Sequence, residues 1–459
     1  MKATLLRLAS TGRSGARAPF PRLAAPFAAA IASAIAIASC AAPPPPLELH
    51  LLLDELRAAE PIVPEEGLDG DEAVAMALAS DAGLAVLRRQ QEVAEAVMRR
   101  EAAWRTPEFR PSLSTLASTL DQPVAWALGL RFFLPAPGEH AARAAHAAAI
   151  QGKGAAQLRW REAELAAEVR VAHARVVAVE EEAGLVQAAE GLHRRIVAVV
   201  RTRVAASAAT RADELLAALR HEELVEESAA AAVSLAVARA ELAVKIGAAP
   251  GASIRVRRTR ADPAPNEPSA GAPLPDAPSL EEQALAHRGD LEALRLEHEA
   301  ARQALVIEQA TSGFWPSFLQ PGAEGDSRGR SLGLSAGFEL PLGDSDDARL
   351  AVAEARVREA RAACMAALQS VRHEVVSTRS AWNEARRRRT RHLAAMEPLL
   401  AQIDDVAHAM LAAGELDAMG LLALERQRLD SRRAAVRAWL SAESARVAFA
   451  LASGTPASP

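Results

Sequence analysis

A chain that returns to its own pattern at a fixed offset must build the same substructure twice, which excludes most single-domain folds at once. Here SDAGL at Ser80 to Leu84, followed by Leu87, returns as HRGDL at His287 to Leu291, followed by Leu294, an offset of 207 residues. FRPSL from Phe109 answers FWPSF from Phe314, and FFLP from Phe132 answers FELP from Phe338, at offsets of 205 and 206. The offset of 206 holds at Arg143 and Arg349, at Glu168-Val169 and Glu374-Val375, and at Leu215-Leu216 and Leu421-Leu422. The copies stop on Gly247 and Gly454. The reading is a tandem duplication, 68–247 and 279–454, joined by a Pro-rich linker over 248–278 and followed by a short tail over 455–459.

Each copy carries the same internal order. Apolar residues at helical spacing, Val74, Leu78, Leu84 and Leu87, predict a helix from about Asp71 to Trp104, and its partner runs from Leu280 to about Gln309. Both open on acidic pairs, Asp71-Glu72 and Glu281-Glu282, which suit a helix N-terminus. The period then changes to two. Val124, Trp126, Leu128, Leu130, Phe132 and Leu134 share one face, opposite Ala125, Ala127, Gly129, Arg131 and Phe133. In the second copy Leu332, Leu334, Ala336, Phe338 and Leu340 alternate with Gly333, Ser335, Gly337 and Glu339. Pro111 to Leu120 and Phe314 to Gln320 are expected as weaker hairpin partners, the latter short and broken by Pro316 and Pro321.

Alternation of this kind fits a half-buried soluble strand and equally a membrane-barrel strand with its apolar side chains toward lipid. Two hairpins give only four strands, so a barrel would need other subunits, because no backbone edge stays unpaired in lipid. A long helical hairpin follows each β-hairpin, with reversals expected near Val204 to Thr210 and Ala413 to Asp417. Val357, Cys364 and Val371, with Leu368, Val375 and Trp382, recur every seven residues as a short coiled-coil seam. Cys364 there reads as a small core residue.

The N-terminus points to export. Lys2, Arg7, Arg13, Arg17 and Arg22 precede an uncharged, Ala- and Ile-rich run from Leu23 to Ser39. Ile37, Ala38, Ser39 and Cys40 resemble the lipobox of bacterial lipoproteins, which implies a signal peptide over 1–39 and a lipid anchor on Cys40. Several acyl chains hold a protein stably where one holds it marginally. Ala41 after the cysteine goes, in that family, with release to the outer membrane. The alternative is an uncleaved apolar anchor. Pro43 to Pro46 make 40–67 a stiff spacer at its start.

Composition narrows the rest. Of 459 residues, half are hydrophobic, yet aromatics make up 3% and tyrosine is absent, so much of the apolar content is alanine, suited to closely packed extended helices. No Gly-rich phosphate loop, nucleophile elbow or HExxH occurs, and no two of the eleven histidines lie four apart, so neither an enzyme nor a cofactor or metal site is expected. Glu180 to Glu182 fall, at the offset of 206, on Arg386 to Arg388. Opposite charge at duplicated positions suggests pairing across the repeats, against the equally good reading of solvated faces. With few interleaved aromatics, the arginine run is not read as a nucleic-acid patch.

Taken in order, these pieces resemble the outer-membrane efflux proteins, the TolC-like family. The resemblance rests on SDAGL and HRGDL where the family has Asn/Arg-Pro-Asp-Leu, on the strand endings FFLPAPG and FELPLGD, on LAAGELDAMGLLALERQR at the second reversal, and on the terminal glycines. Ala82 and Gly289 stand where the family carries proline, Ser207 stands opposite Gly414, and the family's barrel tyrosines are missing. The short loop Asp121 to Pro123 and the short third strand resemble the branch serving cobalt-zinc-cadmium exporters.

The resemblance implies a mainly α protein with a small β part. Long α-helical hairpins form a coiled-coil α-barrel tunnel, and two β-hairpins give four strands to a trimeric twelve-stranded transmembrane β-barrel. It implies a homotrimer in the outer membrane with a large periplasmic part. Its partners would be a periplasmic adaptor (membrane fusion) protein, an inner-membrane pump, the resistance-nodulation-division type among the candidates, and outer-membrane lipid. The barrel's lipid face would then comprise Val124, Trp126, Leu128, Leu130, Phe132, Leu334, Phe338 and Leu340. The periplasmic tip or adaptor contact would comprise Ser207, Arg211, Asp213, Glu214, Gly414, Glu415 and Asp417. The function implied is a passive exit duct of a tripartite efflux or type I secretion system, for drugs or metal ions; the competing reading is a lipid-anchored periplasmic scaffold without a pore.

Overall fold

The structure is a computed structural model that describes residues 46–115, 124–257, 274–326, 329–338, 345–396, 398–403, 405–406 and 418–455. Two units divide after Ala58. The first contains helix α1, Leu49–Ala58, closed by an Arg57 to Asp54 pair at 3.3 Å. Everything below concerns the second.

The opening helix of each copy is in fact two, which corrects the continuous helices expected over 71–104 and 280–309. Helix α2, Gly70–Ser80, begins in a capping box: the Asp69 carboxylate accepts from the amides of Asp71 and Glu72, and Glu72 accepts from the Asp69 amide. It stops at Asp81, whose extended backbone (φ −65°, ψ 118°) ends one helix while its carboxylate accepts from the Leu84 amide to start α3, Ala82–Glu101. The corresponding break at Arg288 (φ −74°, ψ 119°) separates α6, Ala277–His287, from α7, Gly289–Thr311. Apolar periodicity runs straight through both breaks, and so concealed them.

Between these helices and the long ones lies one antiparallel sheet in the order β1-β2-β3-β4: Glu108–Thr115, Val124–Phe133, Pro316–Asp326 and Gly329–Phe338. The third strand is longer than expected, continuing to Asp326 through Pro321, which lies opposite Leu334. The loop Asp121 to Pro123 and Leu340 fall outside the described residues.

Helix α4, Glu139–Ala205, would extend about 100 Å at 1.5 Å per residue. It returns as α5, Arg211–Lys245; in the second copy α8, Ser345–Arg391, passes through a π-helical turn at His392–Met396, and α9, Ala418–Ala452, returns. Helix α4 packs on α2, α3 and α5 of its own copy and on α7 and α9 of the other. Helix α8 packs on α6, α7 and α9, with no comparable packing on α2, α3 or α5 among the described residues. One long helix therefore has both flanks covered and the other has one.

Leu68, Leu84, Leu165, Val169, Val176, Leu242 and Ile246 form the first core, joined by Ile254 from the start of the linker. Leu280, Leu291, Val371, Val375, Trp382 and Phe449 form the second, with the Trp382 and Phe449 rings stacked at 4.8 Å. Cys364 is half-buried, its thiol on the Leu294 carbonyl, and burial raises its pKa. At the foot of each copy a glycine with positive φ, Gly247 (69°) or Gly454 (68°), ends the returning helix. Beside it the Ser80 hydroxyl donates to the Ile246 carbonyl at 2.7 Å, and in the second copy Arg288 donates to Ala452 at 3.1 Å. Gly289 lets α7 approach α4: a Cβ there would lie 2.7 Å from the Ala156 carbonyl oxygen.

Candidate functional site

The two faces of the sheet are built from different chemistry. On one, Arg131 donates to the Gln320 side chain at 3.0 Å and lies 3.8 Å over the Phe318 ring. Glycines make room there, since a Cβ on Gly337 would collide with Phe318. On β4 the apolar side chains project outward, with Leu332 90%, Leu334 71% and Phe338 50% exposed. Leu130 and Phe132 are exposed on β2, and Trp126 and Leu128 are half-exposed. Val124 begins β2. Neither β1 nor β4 has a partner on its outer edge among the described residues.

Aromatic rings gather at the helix-proximal end of the sheet. Trp104, Phe109, Phe132, Phe314, Trp315 and Phe338 are all exposed there, and Phe314 stacks on Phe338 at 5.0 Å. Behind them the ends of α3 and α7, the starts of α4 and α8 and the entries to β3 and α4 enclose a cleft of about 370 Å³.

At the far end of the first helical hairpin, Ser207 takes φ 58°, the left-handed conformation usually left to glycine. Its amide donates to Val204 and that of Ala208 to Arg203, the same pair of bonds that Gly247 and Ala248 make at the end of α5. Ser207→Gly is therefore expected to stabilise the hairpin by roughly 1 kcal/mol, read as a higher midpoint of thermal unfolding; a lower midpoint would refute the strain. Thr210 then caps α5, and Asp213 returns the bond by accepting from the Thr210 amide and hydroxyl, which holds its carboxyl below the usual range. Glu214 pairs with Arg211 and with Arg201. Gly414, Glu415 and Asp417 lie outside the described residues, as does Cys40.

A polar network missed from sequence joins α4, α5 and α9. Arg220 donates to Glu223 and Glu227; Arg433 donates to Glu227 at 2.7 Å and lies 3.6 Å from Glu182, which also accepts from Arg437 at 2.9 Å. Beside it His193 is 2% exposed, and burial, with Arg220 and His221 nearby, lowers its pKa to about 4. The acidic run does reach the second repeat, but Glu182 does so through α9 rather than the arginine run, and Glu180 pairs within its own repeat with Arg239. Glu227 and Arg433 are themselves 206 residues apart, so the duplication offset carried a signal for this pair.

Among the described residues no group of three His, Cys, Asp or Glu side chains could hold a metal ion. No described helix is long and apolar enough to cross a membrane.

Duplicated helix pairs leading through a four-stranded antiparallel sheet into long helical hairpins define the fold of the TolC-like outer-membrane channels. The outer-membrane channel OprN superposes with a TM-score of 0.69 at 18% identity, over 84% of this chain and 90% of that one. CusC, described in connection with transmembrane channel formation, superposes at 0.69 and 16% identity, over 84% and 92%. The outer membrane protein VceC from Vibrio cholerae superposes at 0.66 and 19% identity, over 84% and 96%. No protein-family model matches the sequence, nor does any curated protein. These likenesses concern channels, not enzymes.

Proposed function

We propose that the chain is one protomer of an outer-membrane exit duct: a homotrimer whose twelve strands close a barrel and whose repeats, 68–247 and 279–454, continue as a tunnel through the periplasm. The observation that carries this reading is an apolar outer face on a sheet whose two edges have no partner among the described residues, since such edges are tolerated in a bilayer only when neighbouring copies complete them. The one-sided packing of α8 supports a ring in the same direction, its uncovered flank receiving α3 and α5 of the next copy much as α4 receives α7 and α9. Charge favours this contact: α5 has seven acidic and four basic residues, α8 eleven basic and six acidic.

In this reading Cys40 anchors the chain to the outer membrane. Val124, Trp126, Leu128, Leu130, Phe132, Leu334, Phe338 and Leu340 face lipid. The reversals, with Ser207, Arg211, Asp213, Glu214, Gly414, Glu415 and Asp417, meet a periplasmic adaptor that links the duct to an inner-membrane pump. Selectivity would come from the aperture and its charged lining rather than from a binding site.

The test is single-channel recording in a planar bilayer, with the mass of the same preparation. A discrete conductance from a three-chain assembly is expected. A chain that is monomeric and silent, also after Asp417→Asn with Asp213→Asn, would overturn the duct in favour of a periplasmic scaffold. Asparagine at 213 keeps an oxygen for the Thr210 amide, so silence could not be blamed on a lost cap.

A further inference from the structure

The duplication relates contacts as well as residues. Where α4 receives α9, Glu182 lies 3.6 Å from Arg433 and accepts from Arg437 at 2.9 Å. At the offset of 206, Glu182 answers to Arg388 of α8, which precedes the π-helical turn at His392, and Arg433 answers to Glu227 of α5. Both members of the pair change sign together. A contact of α8 with α5 of the next copy would therefore keep its attraction with the polarity reversed. Arg388 is placed for it: among the described residues its one partner is Glu384, on its own helix at 3.1 Å, and its side chain is 69% exposed.

Two further observations point the same way. Glu227 accepts from Arg433 of its own chain at 2.7 Å, and these residues hold equivalent positions in the two repeats. A contact between equivalent positions recurs around a ring: the step that carries the first repeat onto the second, taken once more, sets Arg433 beside Glu227 of the next copy. Like charges there would repel at every step, whereas opposite ones close the circle in alternation. Leucines mark the same flank. Leu421 and Leu422 of α9 are buried with Ile196, Val197 and Val200 of α4, while their counterparts on α5, Leu215 and Leu216, are exposed. What is buried within the chain at one joint is left open at the other.

We propose that residues 182, 227, 388 and 433 form a belt of alternating charge around the assembled tunnel, with Arg388 of each copy paired to Glu227 of the next. The joint inside a chain sets an acidic α4 position on a basic α9 one, and the joint between chains sets a basic α8 position on an acidic α5 one. The inversion also decides which neighbours are refused. A joint between two first repeats would bring Glu182 against Glu227, and one between two second repeats Arg388 against Arg433, so first and second repeats must alternate around the ring. The inference rests on the ring proposed above and adds its register and the residues that set it.

Cross-linking and charge reversal test this separately, both on the full chain in detergent. In a Cys364→Ala background, Ala231→Cys with Arg388→Cys should give a covalent trimer with a bismaleimide, because Ala231 answers to Arg437 and so lies at the height of Arg388. Arg388→Cys alone should give none, and Glu182→Cys with Arg437→Cys should link within one chain. By light scattering after size exclusion, Arg388→Glu should raise the dissociated fraction about fivefold at low salt and much less at about 1 M, where screening acts within about 3 Å. Arg388→Lys should stay near the unsubstituted protein, and Arg195→Glu, an equal reversal on α4 outside the belt, should change little. A trimer that yields no cross-link, or that Arg388→Glu disturbs no more than Arg195→Glu, overturns the belt and leaves the duct standing. An unsubstituted chain that forms no trimer overturns the ring itself. Circular dichroism of each variant separates a lost contact from a lost fold, and the cysteine pair tests the contact without introducing a like charge.

Discussion

Arg288→Ala is expected to cost roughly 3–5 kcal/mol and to lower the thermal midpoint of the second repeat more than any other single truncation. The side chain is 5% exposed, and four of its five N–H donors are engaged. It makes two bonds to Asp290, at 3.0 and 2.8 Å, one to Glu374 at 2.8 Å and one to the Ala452 carbonyl at 3.1 Å, and lies 4.6 Å over the Trp160 ring. Four helices, α4, α7, α8 and α9, therefore meet on one guanidinium. Alanine would leave two carboxylates and a carbonyl without their cation, and the cost lies in those orphaned groups rather than in the lost bonds. Arg288→Lys should recover only a fraction, because a single ammonium cannot reproduce a forked contact. Circular dichroism melts at fixed detergent concentration would decide; an unchanged midpoint for Arg288→Ala would show that packing alone holds the junction.

Acidification should weaken the three-helix contact before it affects the carboxylates. His193 is buried neutral, with its folded pKa at about 4 against about 6.5 when unfolded. A lowered histidine value means that the unfolded chain takes up the proton first. Stability is thus fully present above pH 6.5, falls as pH drops from 6.5 to 4, and is no longer affected by this group below that. The full loss amounts to roughly 3 kcal/mol at 1.36 kcal/mol per unit. Glu227 acts in the same direction at lower pH: burial raises its pKa, but Arg433 and Arg220 outweigh that and hold it below the usual carboxylate value, so its contribution is lost as pH falls below about 4.5. His193→Asn should flatten the dependence of the melting midpoint between pH 6.5 and 4 while leaving the steeper fall below it. Parallel profiles for the two proteins would show that His193 is hydrated in the folded state.

The duplication and the alternating strands were legible because both are properties of order along the chain. The breaks at Asp81 and Arg288 were not, because the apolar spacing that marks a helix continues across them and only the capping role of Asp81 ends the first. The length of β3 was hidden by Pro316 and Pro321, which argue against a strand by lacking an amide donor, yet Pro321 sits within the strand opposite Leu334. The Arg220, Glu227 and Arg433 network and the cleft around Arg105 depend on which helices lie side by side at which height. That information is not local: the cleft draws on segments from both repeats, up to 248 positions apart between Glu101 and Arg349.

If neighbouring copies finish the two outer edges of the sheet, as proposed, that also changes how damage spreads. In a self-contained protein a faulty copy removes only its own contribution. In a closed ring of n subunits drawn at random, intact rings form in proportion to the nth power of the sound fraction, so a minority of chains spoiled at β1 or β4 would disable most assemblies. In the proposed three-chain barrel, where three short sheets would become one wall, errors in this chain would therefore be expected to act dominantly.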